Sequence, residues 1–112
     1  MPRRPQKLRE VFQRRLMEAR TKAGISQRNL GLKAGMHADS ASPRVNRYEL
    51  GVYEPDLETL QRLAIALEVP AAYLLAIDDD VARVIMLLSQ QSASKRAALV
   101  RMLKDAVADE ED

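Results

Sequence analysis

The sequence predicts an all-α fold, and three observations carry that expectation. Apolar residues recur at spacings of three and four from Leu8 to Val107, the period of a helix that buries one face. Residues that start and stop helices fall between those stretches: Ser26, Asp56 and Pro70 before them, Gly24, Gly35 and Gly51 after them. No stretch alternates apolar and polar residues as a half-buried strand would, and no internal repeat is present.

The 112 residues suit one domain with a tail. A chain of this size buries roughly two-thirds of its unfolded surface, enough for a core without covalent staples. Cysteine is absent, which excludes disulfides and thiolate metal sites and fits a reducing compartment. No apolar run approaches the roughly 18 residues of a membrane span. The basic start, Met1 to Lys7, is not followed by an apolar signal core. A soluble, cytoplasmic protein is expected, with no membrane partner.

Residues 1–7 form a flexible basic arm. The first helix spans Leu8 to Ala23, with Leu8, Phe12, Leu16, Ala19 and Ala23 on its inner face and Gly24 closing it. Arg9, Arg14, Arg15 and Lys22 lie off that face, in solvent or against a polyanion. Ser26 caps a second helix that runs to about Ala34 and stops at Gly35, with Leu30 and Ala34 inward. Gly31, about 1 kcal/mol worse than Ala in a helix, makes sense where another helix crosses closely. Met36 to Ala41 is a long turn. Ser42 then caps a third helix with Pro43 at its first position, running to about Leu50. It points Val45 and Tyr48 inward and holds Arg44, Asn46 and Arg47 on the other side.

Asp56 caps a fourth helix, Leu57 to Leu67, with Leu57, Leu60, Leu63, Ala64 and Leu67 as its stripe. Pro70 opens a short fifth helix to Ala76. Asp78 to Asp80 begin a sixth, to about Gln91, with Val81, Val84, Ile85 and Leu88 on its apolar face. Ser92 or Ser94 caps a seventh, to about Val107, with Leu99, Met102, Leu103 and Ala106 on one side. Residues 109–112 are an acidic, frayed tail.

Charge points to a partner. Residues 1–51 carry 12 Lys and Arg against 4 Asp and Glu, whereas residues 52–112 carry 6 against 12. The formal charges of +8 and −6 make a basic and an acidic half, and the basic half suits nucleic acid. A solvated basic surface would look the same on charge alone.

Particular residues then separate the readings. Ser26-Gln27, Leu30-Gly31, Lys33-Ala34-Gly35, Arg47-Tyr48-Glu49, Gly51, Pro55 to Leu60 and Arg62-Leu63-Ala64 together resemble the Cro/repressor-type helix-turn-helix family, over roughly Val11 to Ala76. The resemblance implies a five-helix, lambda-repressor-like bundle over residues 8–76, to which this chain adds two C-terminal helices (77–108). It implies a third helix docked in the major groove of double-stranded DNA, dimers on two-fold symmetric operators, and regulation of transcription. It places a phosphate contact on Gln27, with Arg28 beside it, and base-reading positions on Ser42, Pro43, Arg44, Asn46 and Arg47. It also implies a structural ion pair between Arg20 and Glu49. The chain departs from the family in the long turn over His37 to Ser40, in Pro43, which lacks a donor, and in Val52-Tyr53, where a basic residue is usual.

On physical grounds Arg47 has the strongest claim, because a guanidinium can bond both O6 and N7 of guanine. Its alternative is a phosphate clamp without sequence information. His37 and Asp39 are too few for a metal site, and a helix N-terminus accounts for Asp78 to Asp80 without one. No metal, cofactor or catalytic constellation is expected. The expected function is therefore a DNA-binding transcriptional regulator, a repressor, dimerising through Val81, Val84, Ile85, Leu88, Leu99, Met102 and Leu103. The alternative for those helices is packing back on Leu57 to Leu75. The alternative function is a protein-interaction module, such as an antitoxin, whose acidic C-terminal half neutralises a basic protein partner.

Overall fold

The computed structural model describes residues 7–111; the expected arm over Met1 to Gln6 and the last residue of the tail lie outside the described residues. Seven helices follow one another: α1 (Leu8–Ala23), α2 (Gln27–Lys33), α3 (Ala41–Glu49), α4 (Leu57–Leu67), α5 (Ala71–Leu74), α6 (Asp79–Ser89) and α7 (Ala93–Glu111). Among the described residues there is no strand. No helix among them is long and apolar enough to cross a membrane.

The first five helices enclose one core. Phe12 and Leu16 of α1, Leu30 of α2, Val45 and Tyr48 of α3, Leu60, Leu63 and Leu67 of α4 and Leu74 of α5 meet there. Phe12 and Tyr48 pack edge to face, 6.3 Å between centroids. The bounds of α1 match the sequence expectation because Gly24 adopts the left-handed conformation (φ 71°) that ends the helix. Its buried face is rotated, however. Val11, Phe12, Arg15, Leu16 and Ala19 are inside, while Leu8 and Ala23 are exposed. Leu57, expected inside, is 80 % exposed. Leu8 and Leu57 each open a helix, so neither has a preceding turn to carry it over the core.

Two capping expectations hold in detail. The Ser26 side chain accepts from the Asn29 amide at 3.0 Å, and Asp56 Oδ1 accepts from the Thr59 amide at 2.7 Å. Hydrogen bonding from Thr59 holds the Asp56 carboxyl below its ordinary range.

The start of α3 differs from the expectation by two residues. Ser40, not Ser42, occupies the N-cap position, and Ser42 and Pro43 are the second and third helical residues. The first helical bond runs from the Arg44 amide to the Ser40 carbonyl, 2.9 Å. Pro43 is accommodated because the amides of the first turn have no intrahelical partner. A residue before proline is biased away from helical angles, so something must outweigh that bias. Ala41 supplies it. A Cβ built on Gly31 would lie 2.6 Å from Ala41 Cβ and 2.8 Å from its Cα, so α2 and α3 touch almost backbone to backbone. The missing side chain at 31 and the small one at 41 let the long turn end early.

Beyond the bundle the packing changes. In α6 only Ala82 is buried; Val81 and Val84 are exposed, and Ile85 and Leu88 are half-buried. The expected apolar stripe therefore does not enter the bundle core. α6 packs on α5, and α7 packs on α6 alone among its substantial contacts. Ser92 accepts from the Lys95 amide and starts α7, which continues to Glu111, past the expected end at Val107 and through most of the supposed frayed tail. Along α7 Leu99 is half-buried, and Val100, Met102, Leu103 and Val107 are exposed.

Candidate nucleic-acid interface

The surface shared by α2 and α3 is built on a buried carboxylate. Glu49, at the end of α3, is 1 % exposed. A buried carboxylate is costly unless paired and hydrogen-bonded, and here it is both. Arg20 of α1 grips it with Nε on Oε2 and Nη2 on Oε1, the latter at 3.0 Å. The same guanidinium donates to the Ile25 carbonyl, 3.0 Å. The hydrogen bond to Glu49 raises the Arg20 pKa above its ordinary value. Removing one partner of such a pair costs about 3–5 kcal/mol. The pair thus fixes the crossing of α1 and α3.

Gln27 extends this network towards the surface. Its Nε2 donates to Glu49 Oε1 at 3.1 Å and to Asn46 Oδ1 at 3.2 Å. Two residues expected at the interface, Gln27 and Asn46, therefore touch, and both are half-buried. In this unliganded geometry the Gln27 amide nitrogen is engaged within the protein. Arg28 is exposed next to it.

The outer side of α3 carries the remaining candidates. Pro43 and Arg47 are exposed; Ser42 and Arg44 are half-buried. Arg44 reaches one turn forward along its own helix, with Nη2 3.0 Å from the Tyr48 hydroxyl and its guanidinium 6.0 Å from the Tyr48 ring centre. Arg47 instead lies over the Tyr53 ring, 5.7 Å from its centre. Tyr53 is half-exposed and braces Arg47, a role that spacing alone did not indicate.

The expectation for the α1 arginines requires correction at Arg15. Three of the arginines expected off the apolar face of α1, in solvent or against a polyanion, pair with the protein's own carboxylates, and one of them, Arg15, is buried. Arg9 pairs with Glu54 at 2.6 Å and Arg14 with Asp79 at 2.9 Å. Arg15 is only 4 % exposed, pairs with Asp79 at 3.0 Å and donates to backbone carbonyls beyond α5. The hydrogen bonds from Arg14 and Arg15 pull the Asp79 pKa below its ordinary value. No group of acidic and imidazole side chains among the described residues could hold a metal ion. The His37 ring accepts from the Asp39 amide, which tightens the turn before α3.

A short, tightly crossed α2–α3 pair whose outer side shows amides and arginines, locked from behind by an ion pair to α1, defines a DNA-binding helix-turn-helix protein. The family model described as helix-turn-helix matches residues 16–74. The chain belongs to the Cro/repressor-type helix-turn-helix family. The crystal structure of the transcriptional regulator BswR is similar, with a TM-score of 0.79 and 38 % identity over 86 % of this chain and 95 % of that one. That likeness extends beyond the family match into the C-terminal helices. A search of curated protein sequences found no match.

Proposed function

We propose that this DNA-binding transcription regulator is a dimeric repressor that reads a two-fold symmetric operator through α3. The observation that carries the reading is Arg47: an exposed guanidinium on the outer side of α3, steadied by Tyr53, next to Asn46. Arginine and asparagine are the side chains that pair bidentately with guanine and adenine. Arg47 and Asn46 are assigned to bases, with Arg44 released from Tyr48 as DNA approaches. Arg28 and the start of α2 take phosphate, and Gln27 joins them by turning one N–H of its amide away from Glu49, which stays paired with Arg20. Ser42 and Pro43 lie at the leading end of α3 and make close, mainly apolar contact.

The dimer is assigned to α6 and α7. Val81, Val84, Met102 and Leu103 are exposed, and Ile85, Leu88 and Leu99 are half-buried. An apolar surface of this extent on a small chain marks an interaction site. A second copy suits it, because half-sites one DNA turn apart, about 34–36 Å, call for two reading heads. Transcription is blocked by occupancy of the operator, a role that requires no sensing domain.

Selection from random duplex DNA at stated salt tests the reading. A two-fold symmetric site whose affinity falls steeply with salt is expected. Failure to enrich any site would overturn it in favour of a protein-interaction module acting through the acidic half.

A further inference from the structure

Arg15, expected in solvent or against a polyanion, lies instead at the joint between the bundle and the C-terminal helices. Arg15 Nε and Nη2 donate to the Ala76 carbonyl at 3.0 and 2.9 Å, and Nη2 also reaches the Ile77 carbonyl at 3.4 Å. The same nitrogen pairs with Asp79 Oδ1 at 3.0 Å, and the guanidinium lies 5.6 Å from the centre of the Tyr73 ring. Arg14 adds a second contact to the same Asp79 oxygen at 2.9 Å. The guanidinium of Arg15 thus binds the backbone of residues 76 and 77, within the segment 75–78 that joins α5 to α6, and the Asp79 carboxylate at the start of α6. Within the bundle it has a 3.7 Å approach to Glu18 and the Tyr73 ring.

We propose that Arg15 is a positioning residue: it locks the joint between the DNA-binding bundle and the C-terminal helical pair, and so sets the half-site spacing that the dimer accepts. The proposal rests on the dimer reading above. Its physical basis is the geometry of the joint. Four residues separate α5 from α6, and α7 packs on α6 rather than on the bundle. Segment 75–78 is therefore the natural hinge between reading head and dimer contact. The planar guanidinium fork fixes direction as well as distance, and its burial leaves little freedom. Rotation by about 10° at a joint moves a group roughly 20 Å away by about 3.5 Å, close to one base-pair rise. A clamp at this joint therefore discriminates spacings that differ by a single base pair.

The test measures affinity for duplexes carrying two copies of the selected half-site, with centre spacing altered by one or two base pairs, and for a single half-site. Wild type should lose about tenfold in affinity for each base pair of altered spacing, because the second head no longer binds at high effective concentration. Arg15→Gln should flatten that profile to within about threefold, keep single-half-site affinity within about twofold, and remain dimeric by mass. Loss of stability alone would lower all affinities together and leave the profile's shape intact. A folded, dimeric Arg15→Gln with the wild-type profile would overturn the proposal. Should Arg15→Gln fail to fold, Asp79→Asn decides: it keeps the carbonyl bonds, and a partly flattened profile is expected, whereas a wild-type profile overturns the idea. A monomeric wild type overturns the dimer reading and this inference together. A dimeric wild type with unaltered variants overturns this inference alone.

Discussion

α1 to α5 share a core of large apolar residues, with Leu16, Leu30, Leu63 and Leu74 fully buried, even though Leu8, Leu57 and Ile65 stay exposed. Among the described residues, α6 and α7 bury no large apolar residue: Ala82 is buried while Val84, Leu87, Met102, Leu103 and Val107 face outward. Both regions are amphipathic at helical spacing, so periodicity alone cannot tell a helix that completes its own core from one that awaits another surface. Charge divides elsewhere, between α3 and α4: residues 1–51, which carry α1 to α3, are basic, and residues 52–112, which carry α4 to α7, are acidic. The two regions touch at few points, chiefly the packing of α6 on α5 and the Arg14 and Arg15 contacts to the joint.

Matched truncations break this comparison most sharply. Leu63→Ala removes a fully buried side chain and should cost about 2–5 kcal/mol in urea unfolding. Leu103→Ala, half-exposed, should cost less than about 0.5 kcal/mol of monomer stability at low protein concentration. It should nevertheless shift the mass from dimer towards monomer. Equal losses in the two variants would mean that α7 belongs to the core.

Gly31→Ala comes next. The substitution improves helix propensity by about 1 kcal/mol. It also drives a methyl group into the backbone of Ala41. Overpacking of that kind costs about 1–3 kcal/mol, and backbone yields less readily than a side chain, so net destabilisation is expected in thermal unfolding. A raised melting temperature would show that the α2–α3 crossing is looser than described.

The smallest effect concerns acid. Asp79 has its pKa depressed by Arg14 and Arg15. Its contribution to docking is present above the unfolded value near 3.8 and is lost as pH falls through the lower folded value. Amide exchange in segment 75–78 should therefore rise at low pH before exchange in the bundle core does, and Asp79→Asn should remove that pH dependence. Glu18 and Arg83 line the same groove.

Much of this was legible in the residues. Gly24, Ser26 and Asp56 set helix ends by local chemistry, and the bundle follows them. The Arg20–Glu49 pair occupies positions that the family resemblance implied. What was not legible depended on distant partners. Ser42-Pro43 is a sound local start signal, but the contact of Gly31 with Ala41 outweighs it. Arg15 looks like any surface arginine until the carbonyls of Ala76 and Ile77 arrive from 61 and 62 positions along the chain. Tyr53 follows a glycine turn, and only the path of that turn brings its ring under Arg47.

The central claim is that α3 reads bases through Arg47. The most direct test repeats the selection from random DNA with Arg47→Ala beside wild type. At least about tenfold weaker binding is expected, with loss of preference at one position in each half-site, while helical content and melting temperature stay unchanged. The same selected sequence bound at the same affinity would contradict the account.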